Sequence, residues 1–305
     1  MSPLLAKRLR YYGLFRPLAA LPLPLAYRLA GRIGRIDGRR QEGARAAIDR
    51  GLAAAFPQAP PAERAHWVER HFVMRAREIL DVFTMPARTP ANSTRLLRLQ
   101  PGSLEVLQEA RCEGRGVIIA MAHYDRLNLL LLALALAGER LGMLTMVVDE
   151  RNPELDPVER RYLEGKIRTL LGFIGGTWIT VGDDLRRLYR ALAAGEILVV
   201  LFDVFEPGSR RRTLELPFLN GTLTVSGGIA RLAERTGARV IYGVARESGW
   251  GVEAELRSLP ADPVGGLAGA VQELERDVRA APWSWWHWNI LELIWRPHKD
   301  STSNA

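Results

Sequence analysis

The feature that most constrains the fold of this chain is a short apolar run that ends in a histidine. Residues 117–122 are apolar and include β-branched side chains, His123 follows them, and residues 129–137 form a second apolar run rich in leucine. The first run predicts a buried strand and the second predicts a helix. Strand, turn and helix in this order place His123 at the carboxyl edge of a parallel sheet, where ligands of open α/β sheets bind. A histidine beside a buried strand is also often structural, so both roles stay open.

Two other apolar runs end in acidic residues. Residues 144–148 precede Asp149, and residues 197–202 precede Asp203. If these runs are parallel strands beside the first one, His123, Asp149 and Asp203 lie along one edge of the sheet. The alternative is that the acids cap loops or the helices that follow.

Helix and strand patterns alternate through the middle of the chain. The patterns predict helices at residues 183–194 and 229–236, a strand at 240–244, and a turn at 217–221 that leads towards the second of these helices. The order strand, helix, strand, helix, strand predicts an α/β fold with a mostly parallel central sheet flanked by helices.

The N-terminal segment is basic, aromatic and rich in leucine. Prolines and arginines interrupt its apolar part, which leaves a window too short for a membrane-spanning helix. Its composition is typical of a segment that lies in the plane of a membrane interface, and a pair of helices packed on the domain is the alternative. The chain then divides into an interfacial segment (1–38), a helical lead-in (39–95), an α/β domain that includes a C-terminal tryptophan-rich strap (96–298) and a frayed tail (299–305).

Residues 283–288 contain four tryptophans and one histidine. We interpret this segment as a strap packed over the sheet. The alternatives are that its tryptophans anchor in a membrane interface or stack on a ligand.

Composition limits the partners that the chain can have. The formal net charge of +8 favours anionic partners, which include nucleic acid, acidic lipid headgroups and an acidic carrier protein. The sequence has no zinc-finger spacing and no RNP-like aromatic motif, so we expect no nucleic-acid partner. Cys112 is the single cysteine, which excludes an intrachain disulfide and a cysteine-based zinc site and fits a reducing compartment.

Several short segments, in their order and spacing, together resemble one family. They are Phe56-Pro57, Ala122-His123, residues 152–156, Arg168, Asp203, residues 217–219, residues 226–228, residues 230–238 and residues 283–287. With them the chain resembles the bacterial lipid A biosynthesis acyltransferases, the lauroyl/myristoyl transferase branch of the lysophospholipid acyltransferase superfamily. The likeness extends from about residue 39 to residue 287.

This resemblance implies a glycerolipid acyltransferase-like fold on the cytoplasmic face of the bacterial inner membrane. It implies transfer of a fatty acyl chain from a thioester, carried by acyl carrier protein or coenzyme A, to a hydroxyl of a lipid or glycolipid. The expected partners are therefore acyl carrier protein or acyl-CoA and anionic membrane lipid. No metal and no redox cofactor are implied.

The family signature is a histidine, four intervening residues and then an aspartate or glutamate. Here the histidine is His123, and Asn128 stands at the acidic position. In the implied mechanism the imidazole is the general base and the acid orients it. We expect His123 to be the base and Asn128, with help from Asp125, to orient it. Alternatively Asp149 or Asp203 reaches across from a neighbouring strand end.

A further alternative is that the family chemistry has been lost. The chain is then a lipid-binding or partner protein of the same fold, in which no acid lies within reach of His123.

The resemblance also implies residues that bind substrate. Arg168 matches an arginine expected to meet substrate phosphate, which suits a guanidinium fork, although a helix-surface arginine is the alternative. Asp203 and Ser226 are assigned to substrate binding with it. Two departures from the family pattern, Val204 after the aspartate and Asn220 in place of glycine, bear on the identity of the acceptor. Three consecutive arginines, Arg210, Arg211 and Arg212, are expected in solvent or near headgroups.

Overall fold

The computed structural model describes residues 2–204 and 213–298. Two predictions lie outside the described residues: that Arg210, Arg211 and Arg212 are in solvent or near headgroups, and that the tail after residue 298 is frayed.

Helices form the N-terminal third of the structure. They are α1 (Pro3–Arg8), a π-helical stretch (Leu9–Phe15), α2 (Arg16–Leu18), α3 (Leu23–Arg40), α4 (Glu42–Ala55), α5 (Pro61–Thr84), a short 3₁₀ turn (Met85–Ala87) and α6 (Pro90–Ser93). Prolines at the first turns of α3 and α5 favour helix initiation, because the missing N–H would have no helical partner there. Helix α3 packs on α5 so closely that a Cβ at Gly34 would overlap the Phe72 carbonyl.

Within the described ranges, no helix combines the length and the apolar character that crossing a bilayer requires.

Strands and helices then alternate. The elements are β1 (Leu97–Leu99), α7 (Ser103–Glu113), β2 (Val117–Met121), α8 (Asn128–Leu136), β3 (Leu141–Thr145), α9 (Pro157–Ile174), β4 (Gly175–Thr180), α10 (Arg186–Ala193), β5 (Ile197–Leu201), β6 (Thr213–Phe218), β7 (Gly221–Ser226), α11 (Gly228–Thr236), β8 (Arg239–Ser248), β9 (Gly251–Ser258), α12 (Pro263–Ala280), two 3₁₀ turns (Pro282–Ser284 and Trp286–Ile290), α13 (Leu291–Ile294) and β10 (Trp295–Pro297).

Seven of the strands form one sheet in the order β1-β9-β8-β2-β5-β3-β4. Every neighbouring pair in it is parallel except β8 and β9, which form an antiparallel hairpin. Strand β2 is central and buried along its whole length, because hydrophobic clusters cover both faces of the sheet. The prediction of a mostly parallel sheet flanked by helices is confirmed.

The register of the central strands determines which side chains meet at the carboxyl edge. Strands β2 and β5 are parallel neighbours, and Met121 at the end of β2 pairs with Leu201 at the end of β5. His123 follows Met121 by two residues, and Asp203 follows Leu201 by two residues. The two side chains therefore leave adjacent strand ends at the same level.

Two predicted segments differ from the structure. Strand β3 ends at Thr145 rather than continuing to residue 148, and β5 lies between β3 and β2, so Asp149 is four residues beyond its strand. The turn predicted at 217–221 is present, but it joins two strands that the sequence did not predict, β6 and β7, which form an antiparallel hairpin and a second sheet with β10. Alternation of threonine or serine with apolar residues in β7 was the signal for this strand.

Candidate active site

The centre of the site is the contact between His123 and Asp203. Nδ1 of His123 lies 2.9 Å from Oδ1 of Asp203. The backbone N–H of His123 also donates to both oxygens of the same carboxylate, at 3.1 and 2.9 Å. The Asp203 side chain has no solvent exposure, whereas the imidazole is about one quarter exposed. One buried carboxylate thus holds both the backbone and the ring of His123.

The charge state of Asp203 determines the tautomer of His123. Burial raises the pKa of Asp203, but the neighbouring imidazoles of His123 and His287 outweigh burial, and the pKa ends below its usual value. The ionised carboxylate only accepts hydrogen bonds, so Nδ1 of His123 carries the proton that it donates. Nε2 of the neutral ring is then unprotonated and available as a base.

The C-terminal strap completes the surroundings of Asp203. The indole Nε1–H of Trp285 donates to Oδ2 of Asp203 at 3.0 Å. Nε2 of His287 lies 3.4 Å from the same oxygen, without hydrogen-bond geometry, and has no hydrogen-bond partner among the described residues. The rings of His123 and His287 are 4.7 Å apart. The sequence interpretation of the strap did not assign Trp285 or His287 to the site, because nothing in the local pattern shows where a strap docks.

Backbone hydrogen bonds fix the strap against the His123 turn. The N–H of Trp286 donates to the carbonyl of His123 at 2.9 Å, and the N–H of Asp125 donates to the carbonyl of Ser284 at 2.7 Å. Trp285 and Trp288 are fully buried or nearly so. The strap therefore packs against the turn that follows β2.

Asp125 forms hydrogen bonds with the strap and has no described contact with the His123 side chain. Its Oδ2 accepts from the hydroxyl of Ser284 at 3.1 Å and from the N–H of Glu247 at 2.9 Å, and its Oδ1 accepts from the N–H of Arg126 at 2.8 Å. Burial and then the charge of Glu247 raise the pKa of Asp125 to about 7. The residue has a positive φ of 49°, which aspartate tolerates better than most residues. The expected help from Asp125 in orienting the imidazole has no support in this geometry.

Asn128 is directed towards a different carboxylate. It begins α8, is buried, and its Nδ2 donates to Oε1 of Glu78 on α5 at 3.3 Å. The described hydrogen bonds of Asn128 do not include one to His123. The orienting contact that was expected from Asn128 is instead made by Asp203.

Asp149 does not join the cluster either. Its side chain is about half exposed, and its carboxylate binds the guanidinium of Arg151 at 2.8 Å. Because β5 separates β3 from β2, Asp149 lies further along the sheet edge than Asp203 does.

Ser226 lies beside the cluster through its backbone. It ends β7, and its N–H donates to the carbonyl of Phe202 at 3.3 Å, one residue before Asp203. Its hydroxyl accepts from the N–H of Gly228 at the start of α11. Its role in substrate binding stays a prediction.

Arg168 lies on the exposed side of α9 and lines a cavity of about 750 Å³. Four arginines and two glutamates contribute to the cavity wall, namely Arg16, Arg160, Arg161, Arg168, Glu150 and Glu164. The excess of arginines makes the cavity electropositive, which suits an anionic ligand. His123 is not among the lining residues, so Arg168 and the proposed base belong to separate parts of the surface.

Metal binding is the other chemistry open to the His123 cluster. His123, Asp203 and His287 place their ligand atoms within 4.8 Å of one another. Two imidazoles and a carboxylate form a donor set that Zn²⁺ accepts. However, the N–H groups of His123 and Trp285 already occupy both oxygens of Asp203, so the carboxylate is satisfied by the protein itself.

Comparison with known proteins gives two matches. The profile of the bacterial lipid A biosynthesis acyltransferases matches residues 7–291. Lipid A biosynthesis acyltransferase 2 of Shigella flexneri is 27% identical over 160 residues, which cover 52% of this chain. The matched region is 50% of that relative, so the chain spans about half of its length.

Proposed function

The chain belongs to the bacterial lipid A biosynthesis acyltransferase family, and on this basis we propose that it moves a fatty acyl chain from a thioester to a hydroxyl of a lipid or glycolipid. The family match confirms the resemblance drawn from the sequence. The acyl donor in this proposal is acyl carrier protein or coenzyme A. The observation that carries the proposal is the imidazole of His123, held by a buried carboxylate with its other nitrogen left available.

His123 acts as the general base in this reaction. Its Nε2 removes the proton of the acceptor hydroxyl while that oxygen attacks the thioester carbonyl. The tetrahedral intermediate then expels the thiolate, and the imidazolium returns the proton to sulfur. Asp203 fixes the tautomer and stabilises the imidazolium, which is the orienting role that was expected of Asn128. We therefore assign Asp203 to positioning rather than to substrate binding. No metal or redox step is needed.

The competing interpretation is a lipid-binding protein that has lost the family chemistry. It expected no acid within reach of His123. The carboxylate of Asp203, 2.9 Å from the ring, argues against it.

Membrane and partner contacts follow from the charge and from exposed apolar residues. We propose that the N-terminal helices lie on the cytoplasmic face of the inner membrane, because they expose several leucines beside arginines. The positive net charge favours both anionic lipid and an acidic carrier protein. Arg168 and its cavity are the proposed contact for a substrate phosphate.

The proposal is tested by acyl transfer from labelled acyl carrier protein and labelled acyl-CoA into a total bacterial lipid extract. We expect His123→Ala to lower the rate by about 10²- to 10⁴-fold, the usual contribution of a general base. Asp203→Asn should lower it by up to about 10⁴-fold, the cost seen when a triad histidine is held in the wrong tautomer.

His66→Ala is the matched control, because His66 is an exposed histidine on α5 and should leave the rate unchanged. Circular dichroism of each variant establishes that it is folded. Transfer by His123→Ala at the wild-type rate would refute the proposed mechanism.

A further inference from the structure

Helices α5 and α9 face each other beside the strap and contribute four polar side chains to their contact. Arg75 and Glu78 lie one turn apart on α5, and Tyr162 and Lys166 lie one turn apart on α9. Nζ of Lys166 lies 2.5 Å from Oε1 of Glu78. Burial raises the pKa of Glu78, but the charges of Lys166 and Arg75 outweigh burial and the pKa ends below its usual value. Glu78 is therefore ionised, and it neutralises Lys166.

Arg75 is left with an uncompensated charge. Its guanidinium carbon lies 3.6 Å from the ring centroid of Trp286, so the guanidinium plane is held by the indole. Nη1 of Arg75 is buried without a hydrogen-bond partner, and Arg75 has no ion pair among the described residues. Arg75 interacts electrostatically with the carboxylate of Glu78, but the ion pair with Lys166 already balances the charge of Glu78.

Tyr162 provides a second unused donor beside it. Its hydroxyl is buried and unpartnered within the described ranges, and its ring stacks on Tyr11 with 4.4 Å between centroids. Burial and then the charge of Glu78 raise the pKa of Tyr162 well above 10, so the hydroxyl keeps its proton. The charge of Arg75 lowers the pKa of Tyr162, but burial and Glu78 outweigh it.

Two buried donors and one unbalanced positive charge are costly unless a ligand satisfies them. We propose that Arg75 and Tyr162 bind a phosphate group of a substrate of the proposed acyl transfer. A guanidinium stacked on an indole still presents its edge N–H groups, and this planar edge suits phosphate oxygens. The inference rests on the proposed function for the identity of the substrate, but not for the anion site itself.

The location of the pair connects the electropositive cavity with the base. Tyr162 also lines the cavity that contains Arg168, so the proposed site borders that cavity on the Tyr162 side. Trp286, which stacks on Arg75, lies 5.7 Å from the ring of His123. The indole of Trp286 thus contacts both Arg75 and His123. A phosphate bound to Arg75 positions the rest of the substrate relative to Nε2 of His123.

The first test measures steady-state kinetics of Arg75→Gln and Tyr162→Phe. Arg75→Gln removes a charge-assisted hydrogen bond to the substrate. It should therefore raise the KM of the phosphate-bearing substrate by about 10- to 100-fold, with kcat little changed. Tyr162→Phe should raise the same KM by about 3- to 10-fold, because a neutral donor contributes less.

Arg70→Gln is the matched control. Arg70 lies on the same helix and stacks on the neighbouring Trp283 at 3.9 Å, but it has Glu247 as an ion partner at 3.7 Å. Its replacement removes a similar cation and indole contact without removing an unpaired donor, and KM should stay unchanged.

The source of the phosphate is distinguished by which substrate is varied. A raised KM for total lipid extract assigns the pair to the acceptor headgroup. A raised KM for acyl-CoA or acyl carrier protein assigns it to the phosphate of the pantetheine arm. Either result supports the anion site, and no change in either KM overturns it.

A second test does not depend on acyl transfer. Inorganic phosphate, compared with chloride at the same ionic strength, should raise the Tm of the wild-type protein and of Arg70→Gln but not that of Arg75→Gln. An equal rise in all three proteins overturns the site. If the wild-type protein transfers no acyl group, the proposed function fails, and this measurement alone decides whether the anion site exists.

Discussion

At the scale of single residues, Glu78 determines what Asn128 does. Glu78 is only 2% exposed, and it accepts hydrogen bonds from Lys166 and from Nδ2 of Asn128. An amide is the right group there, because it donates to a buried carboxylate without adding charge. Asn128 is thus part of a hydrogen-bond network with Glu78 and Lys166 rather than with His123 and Asp203.

Asn128→Asp should therefore destabilise the protein without activating it. The new carboxylate would face Glu78 and lower the free energy of unfolding by about 3 kcal/mol, the usual cost of an uncompensated buried charge. In the folded variant the pair would have raised pKa values, so the loss should be large at about pH 8 and smaller at about pH 5, as protons bind to the folded state.

Urea unfolding at the two pH values measures this effect. Asn128→Ala is the control, because it removes only one hydrogen bond and should cost about 1–2 kcal/mol. A faster acyl transfer by Asn128→Asp than by wild type would mean that the side chain at position 128 reaches His123 after all.

The sequence predicted that His123 lies at the carboxyl edge of the sheet but not which group holds its ring. His123 is visible because an apolar run ends there. Asp203 was one of several alternatives, since the contact requires β5 to be next to β2, and strand order in a sheet depends on long connections rather than on local periodicity. The direction of the Asn128 side chain depends on its hydrogen bond to Glu78 on α5, and Glu78 lies 50 positions earlier in the chain. Neither long-range contact has a local signal.

At the scale of elements, the strap depends on close approach to α4. A Cβ at Gly51 would overlap the carbonyl of Trp288, so only glycine allows the helix and the strap to meet at this distance. The indole of Trp288 is buried and donates to the carbonyl of Pro282 at 2.6 Å. The position of Trp285 and His287 around Asp203 therefore depends on a glycine in another helix.

Gly51→Ala should lower the free energy of unfolding by about 1–3 kcal/mol, the usual cost of overpacking. It should also lower acyl transfer, because the strap moves with Trp288. Gly43→Ala in the same helix is the control: a Cβ there meets nothing within 4 Å, and alanine should leave stability equal or higher by up to about 1 kcal/mol. Chemical denaturation of both variants gives the comparison, and equal effects would show that the Trp288 contact is unimportant.

Elements with a clear hydrophobic period were predicted well from the sequence, whereas the pairing of strands was predicted poorly. Helices α10 and α11 and strands β2, β5 and β8 lie close to the predicted ranges. The β6–β7 and β8–β9 hairpins were not predicted, because a short alternating run beside a turn does not indicate which strand it pairs with.

At the scale of the whole molecule, the N-terminal helices carry an apolar surface next to basic residues. The large apolar side chains exposed there are Leu4, Leu5, Leu9, Leu14, Leu21, Leu25 and Ile36. Together with a net charge of +8, this surface is suited to lie on an anionic membrane.

The protein should sediment with vesicles of anionic lipid more than with vesicles of neutral phosphatidylcholine, and added salt should weaken the binding. Replacing Leu4, Leu5 and Leu9 together by serine should weaken it at least about tenfold, because each leucine contributes about 1.5–3 kcal/mol when fully buried. Val264→Ser, an exposed apolar residue on α12, should have no effect. Equal binding of the triple variant and the wild type would place the membrane contact elsewhere.

The contact of His123 with Asp203 and Trp285 also has a consequence for the order of folding. The three residues are separated by 80 and then 82 positions along the chain. Contacts at such sequence separations form late, after the loops between them have closed. The full set of contacts around Asp203 therefore forms only after residue 285 has left the ribosome and the strap has docked. In the proposed reaction, a nascent chain that has not yet reached residue 285 therefore lacks the indole N–H that completes the surroundings of Asp203.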